Sequence, residues 1–261
     1  MTVPIALQLY TLRDDLAKDF ERTIRRVADI GFVGVEPAGF AGTTPEAASR
    51  LFKELGLLVP SAHLPLPLGD KQDEVLKMAV TLGCTRLVSA FMPPDSYKTL
   101  DGIKQVCEQF NQANAVATEQ GMRFGIHNHW WEFQEVEGRP AWEVLLEHLD
   151  PTVFFEVDTY WVKTAGADPV NVVSRLGNRA PLLHIKDGLC VVGEPMVAAG
   201  EGVMDIPALV AAGEGHTKWL IVELDACATS MIEAVERSYR YLVGSGLAQG
   251  NVSVAEQTPG S

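Results

Sequence analysis

Between Arg123 and Phe133 the chain places two imidazoles and a carboxylate within six residues: His127, His129 and Glu132. The run Arg123–Ile126 reads as a short strand entered from the turn residue Gly121. Strand side chains alternate between faces, so His127 and His129 point one way and Ile126 and Asn128 the other. Three later segments repeat the design: Val153-Phe154-Phe155-Glu156-Val157-Asp158, Leu182-Leu183-His184-Ile185-Lys186-Asp187 and Leu220-Ile221-Val222-Glu223-Leu224-Asp225. Each is an apolar strand that ends in ionisable residues.

Carboxylates with one or two imidazoles suit one divalent metal ion, Mn2+, Zn2+, Co2+ or Mg2+. The four cysteines are scattered with no CxxC pair, which argues against a structural thiolate zinc site. Asp158, His184 and Glu223 end three neighbouring strands and can converge on a metal without loop contortion. Their bland alternatives are a helix cap, a satisfied core histidine and a buried ion pair. Glu132 is favoured as the fourth ligand, with His127, at the strand end, as the alternative. Asp225 shares a face with Glu223, at the rim or behind it. His148 and His216 read as ordinary helix and loop residues. Trp130, Trp131 and Trp161 follow the fifth and sixth strands and are expected to wall a pocket that stacks on sugar C–H faces.

These residues need elements to hold them. Strand-like runs at Ile5–Leu9, Val33–Glu36, Leu57–His63, Arg86–Ser89, Arg123–Ile126, Val153–Asp158, Leu182–Lys186 and Trp219–Glu223 alternate with helix-like stretches. The helices read as Asp14–Ile30, from Thr44-Pro45 through Leu55, Lys71–Leu82, from an Asp95 cap to about Gln120, Ala141–Leu149, from Asp168-Pro169, Ala208–Ala212 and Ser230–Val243. Strict alternation implies a parallel sheet, and eight units of this length favour closure into a single α/β domain, a (β/α)8 TIM barrel over residues 1–243. A flexible C-terminal tail is expected over 244–261. Every strand end carries a polar group, and active sites of such barrels sit at those ends. Glu36 and His63, at the second and third, are expected to bind substrate together with Trp130 and Trp161.

The bulk numbers bound the remaining choices. With 21 Lys+Arg against 34 Asp+Glu the net charge is −13, and no basic run stands out, so nucleic acid and anionic membrane surfaces are disfavoured. The N-terminus enters a strand at once and shows neither signal peptide nor membrane helix, which makes the cytoplasm the default. The tryptophans after the fifth and sixth strands, rather than these numbers, make a small-molecule sugar the expected partner. A homo-oligomer is compatible with the sequence, which does not specify one.

The chain to about residue 243 resembles the sugar phosphate isomerase/epimerase superfamily, the xylose-isomerase-like barrels, in a subgroup with a His-Asn-His-x-x-Glu-Phe motif. The carriers are Gly31–Glu36, Ser61-Ala62-His63, His127-Asn128-His129 with Glu132-Phe133, Asp158-Thr159-Tyr160-Trp161, His184-Ile185-Lys186-Asp187, Gly200-Glu201-Gly202 with Asp205, and Glu223-Leu224-Asp225. The resemblance implies one divalent metal held by Glu, Asp, His and Glu from strands five to eight. Asp158, His184 and Glu223 match; the first Glu does not, since His127 stands there. It further implies isomerisation or epimerisation of a sugar or keto-sugar by proton abstraction next to a carbonyl, through a metal-stabilised enediolate. Glu223 would be one acid/base, His127 or His129 the other, and Lys186 would hold the developing oxyanion. The nearest rival is a dehydratase or lyase on a keto-inositol or 3-keto-glycoside. An endonuclease-like nuclease and a non-catalytic sugar-binding protein are the remote ones.

Overall fold

The computed structural model describes residues 2–251. Eight strands build the barrel: β1 (Val3–Gln8), β2 (Gly34–Glu36), β3 (Ala62–His63), β4 (Arg86–Ser89), β5 (Arg123–His127), β6 (Phe154–Asp158), β7 (Leu182–Ile185) and β8 (Trp219–Val222). All pair in parallel, from β2 through β1, β8, β7, β6, β5 and β4 to β3. Backbone bridges Gly34–Leu58 and Ala38–His63 span the remaining gap between β2 and β3. The result is a single, nearly closed (β/α)8 barrel. Among the described residues no helix is long and apolar enough to cross a membrane, and the four cysteines are free.

Two layers fill the barrel interior. Ala6, Val88, Phe154, Leu182 and Ile221 form a small buried cluster of their own, apart from the larger core shared with the helices. Except for Val88, each lies two residues before a polar one: Gln8, Glu156, His184 and Glu223. Because strand side chains alternate, both sets share the inward face, with the apolar plug beneath the polar layer. Gly125 belongs to this packing. A Cβ there would come within 2.3 Å of the Phe154 ring. Gly125→Ala is therefore expected to lower stability by about 1–3 kcal/mol through overpacking, read as a lower urea midpoint at unchanged slope.

Local chemistry places the helix ends. The stretch expected as one helix over Asp14–Ile30 is two, Arg13–Lys18 and Phe20–Ile30. Asp19 is extended (φ −157°) and accepts the Arg22 N–H, so it caps the second helix instead of continuing the first. Gly31 then stops that helix at φ 112°. The long helix begins at Leu100 under a Thr99 cap, because Pro94–Tyr97 forms a separate 3-10 turn. The third strand shrinks to Ala62–His63, in keeping with Pro60, which has no N–H for the ladder. Thr44 caps Pro45–Glu54 as expected. An additional helix, Thr159–Thr164, starts directly from the end of β6.

Of the tail expected over 244–261, Ala248–Gln249 forms a further strand, β9, beside Val3 and Pro4. Asn251 donates its N–H to Gly31 O at 2.8 Å. Residues 252–261 lie outside the described residues.

Candidate metal centre and its cavity

Register brings the ionisable strand ends together. Asp158 pairs with His184, His184 with Ile221, and Gln8 with Glu36. Asp158, His184 and Glu36 are fully buried and Glu223 nearly so. One ligand atom from each of His127, Asp158, His184 and Glu223 lies within 4.8 Å of all the others. His127 Nε2 is 3.3 Å from Asp158 Oδ2 and 3.8 Å from Glu223 Oε2. His184 Nδ1 is 2.7 Å from Glu223 Oε2. Both ring nitrogens of His127 are buried without a hydrogen-bond partner. Buried polar atoms rarely stay unpaired, and two imidazoles with two carboxylates are a donor set that divalent cations accept. The residues fit the implied metal.

Lys186 sits against the same carboxylates. Its Nζ is 2.9 Å from Asp158 Oδ2, 2.8 Å from Glu223 Oε2 and 2.7 Å from Asp225 Oδ2. It also lies 5.3 Å over the Trp161 ring. Burial opposes its charge, but these three acids hold the ammonium well above its ordinary pKa. Burial likewise opposes ionisation of Glu223 and Asp158. Lys186 with His184 outweighs it at Glu223, and Lys186 with His127 at Asp158, so both acids sit below the usual carboxylate range. Backbone contacts fix Asp158 as well. Its Oδ1 accepts Trp161 N at 3.0 Å, capping Thr159–Thr164, and its own N–H donates to Asn128 Oδ1 at 2.9 Å.

A second group lies beside the first. Glu36, His63, Glu156 and His184 also bring one ligand atom each within 4.8 Å of one another. Glu36 was expected to bind substrate, but it is fully buried and does not line the cavity. Its carboxylate accepts from Gln8 Nε2 and the Ser61 hydroxyl and lies 2.9 Å from His184 Nε2. Burial, with Glu156 adding to it, pushes Glu36 up to about 7. Glu156 escaped the reading of the strand ends. The signal was there, since it precedes Asp158 by two residues on one strand and must share its face.

Glu132 does not join either group; His127 stands where it was expected to ligate. After β5 the chain turns through a short 3-10 helix, Trp131–Phe133, and the Glu132 carboxylate folds back to accept His129 N at 2.8 Å. Burial pushes this carboxyl up to about 8, so near neutral pH it keeps its proton. A group that holds its proton in the fold and loses it when unfolded destabilises progressively as pH rises from 4.5 towards 8. Glu132→Gln is expected to melt increasingly above the wild type over that window, with unchanged metal content. A melting difference independent of pH would reject this assignment.

The cavity above the centre has a volume of about 750 Å3 and is walled by Phe91, Trp130, Trp131 and Trp161, with His63 and His129 among the polar lining. Trp130 and Trp161 lie 4.8 Å apart between ring centroids, and His129 stacks on Trp131 at 4.2 Å. Burial pushes the His129 ring down to about 2, which leaves it neutral and a weak base rather than a proton shuttle. His127 is lowered too, chiefly by burial, and lies beneath the cavity rather than on its wall. Glu223 and Asp225 reach the lining. Asp187, next to Lys186, instead serves the fold. Its carboxylate accepts N–H groups of Gly188, Gly200, Gly202 and Met204, which ties down the Gly200-Glu201-Gly202 loop.

The family model described as xylose isomerase-like TIM barrel matches residues 24–241. A sugar phosphate isomerase/epimerase from Parabacteroides distasonis superposes with a TM-score of 0.81 at 25% identity, over 95% of this chain and 96% of that one. A probable 3-DHS dehydratase, AsbF, from Bacillus anthracis gives 0.70 at 13% identity, over 92% and 98%. The IolI protein with a binding zinc atom gives 0.71 at 13%, over 92% and 97%. The last two show likeness of fold alone. Among curated proteins, none matches the chain.

Proposed function

This chain belongs to the xylose isomerase-like TIM barrel family, and on that premise we propose that it is a divalent-metal-dependent isomerase or epimerase of an unphosphorylated sugar or keto-sugar. The observation that carries the reading is the convergence of His127, Asp158, His184 and Glu223 beneath an aromatic-walled cavity. Those four residues would hold the metal, which supplies Lewis acidity that acidifies the C–H next to a substrate carbonyl. Glu223 is ionised and lines the cavity, so it accepts that proton at a carboxylate oxygen. Lys186 Nζ keeps its protons and is held against Asp158, Glu223 and Asp225, from where it favours negative charge developing on a substrate oxygen. Trp130 and Trp161 orient the ring and exclude water.

No Arg or Lys lines the cavity among the described residues. Arg13, beside the lining residue Tyr10, spends its guanidinium on the Asp225 carbonyl and the Tyr10 ring. Away from the metal centre a phosphate group would find no cationic partner on the cavity wall, which favours an unphosphorylated substrate. With the Mn2+- or Co2+-loaded protein, solvent deuterium is expected to enter the carbon next to the carbonyl, and chelation is expected to stop it. Full-speed turnover after exhaustive metal removal would refute the proposal.

One observation favours a lyase as the second reading. Asp225 lies in the cavity beside Lys186, and burial raises its carboxyl above the ordinary Asp value. A carboxyl shifted in that direction binds a proton more readily than an ordinary Asp and can pass it to a leaving group β to the carbonyl after the same proton abstraction. Release of an enone or an aglycone would select it.

A further inference from the structure

The geometry points to a second cation site in this barrel, formed by Glu36, His63, Glu156 and His184 and distinct from the His127–Asp158–Glu223 side of the centre. Its four donor atoms form a closed ring in which nitrogen and oxygen alternate. His63 Nε2 is 2.5 Å from Glu156 Oε2, which is 3.2 Å from His184 Nε2. His184 Nε2 is 2.9 Å from Glu36 Oε1, and that oxygen is 3.2 Å from His63 Nε2. Tetrahedral Zn2+ with N and O ligands places neighbouring donors roughly 3.3 Å apart. Three of the four edges are already close to that spacing.

Charge favours the same occupant. Two carboxylates facing two imidazoles are neutral when both rings are protonated. Exchanging those two ring protons for one divalent ion leaves the net charge of the buried quartet unchanged, so occupancy adds no uncompensated charge to the interior. Glu156 supplies an independent pointer. The residue is fully buried and its Oε1 has no hydrogen-bond partner, although its other oxygen is engaged. The supporting contacts are those of an oriented ligand set. Gln8 and Ser61 hold the Glu36 carboxylate, and His184 presents Nδ1 to Glu223 while Nε2 faces the ring.

This site shares only His184 with the donor group of the proposed reaction centre, through the opposite ring nitrogen. Filling both would strip the last ring proton from that imidazole, so the second ion binds more weakly than the first. The full chain, stripped with chelator, is titrated with Co2+ alone while visible absorption and equilibrium dialysis are followed. Two ions per chain are expected, in two steps. His63→Ala and the shape-preserving Glu156→Gln are each expected to remove one step, and Asp158→Asn the other, with far-UV circular dichroism verifying the fold of every variant. One ion that survives both His63→Ala and Glu156→Gln but is lost in Asp158→Asn overturns the second site and leaves the reaction centre standing. One ion lost in His63→Ala and Glu156→Gln but kept in Asp158→Asn upholds it and overturns the metal placement at His127, Asp158 and Glu223. No bound ion overturns both.

Discussion

Glu223→Gln is expected to slow deuterium exchange next to the substrate carbonyl by about 10²–10⁴-fold, the usual contribution of a positioned general base. The amide keeps the size of the carboxylate, and its oxygen can still accept from His184 Nδ1 and Lys186 Nζ, which lie 2.7 and 2.8 Å from Glu223 Oε2. What it loses is the ability to take a proton. Glu223 is singled out because it combines two properties: it is held ionised, and it reaches the cavity wall. Asp158 is ionised too but does not line the cavity, and the His129 ring on the wall would become a buried cation on taking the proton. Glu223 also belongs to the donor group, so metal content must be measured beside the rate. Exchange within a few-fold of wild type at full metal loading would remove Glu223 from the base's role.

Lys186→Met should be the most destabilising single change at the centre when chelator is present. The ammonium is fully buried and is the cation that faces Asp158, Glu223 and Asp225. Removing one partner of a buried ionic cluster costs about 3–5 kcal/mol, because the remaining charges stay desolvated and unpaired. The pH dependence follows with a definite sign. In the wild type, Asp158 and Glu223 titrate below their ordinary values, so their contribution is complete above about pH 4.5 and is lost as pH falls through the lowered values. Without Lys186 the same carboxyls are driven upward, and the variant loses stability as pH rises. Excess Mn2+ should restore much of the loss by supplying the missing positive charge. Urea midpoints in chelator and in Mn2+, at pH 5 and 8, test this. A Lys186→Met midpoint matching the wild type in chelator would show that the ammonium does not neutralise the cluster.

Much of the architecture was legible before any coordinates. Glycine stops, Thr44-Pro45 and Asp168-Pro169 starts and short apolar runs set the eightfold alternation, because each is a property of a few adjacent residues. The polar strand ends followed from the same local reading, and Asp158, His184 and Glu223 do converge. Errors arose where two local preferences compete. Asp19 fits a helical face by periodicity but caps better than it propagates, and Thr99 rather than Asp95 opens the long helix. Pro60 cut the third strand for an equally local reason that the apolar run concealed.

What sequence by itself determined is the set of chemistries on offer: which strands end in acids and imidazoles, and which inward face each residue shares. Only the tertiary structure decided who meets whom. His184 lies 148 residues from Glu36 and 39 from Glu223, yet touches both through different ring nitrogens. Glu132, three residues from His129, folds back onto that backbone and stays out of both donor groups. Strand periodicity specifies a direction for each side chain, whereas contact depends on strand stagger, side-chain rotamer and the competition for each buried hydrogen bond. Those are set by the closed ring as a whole.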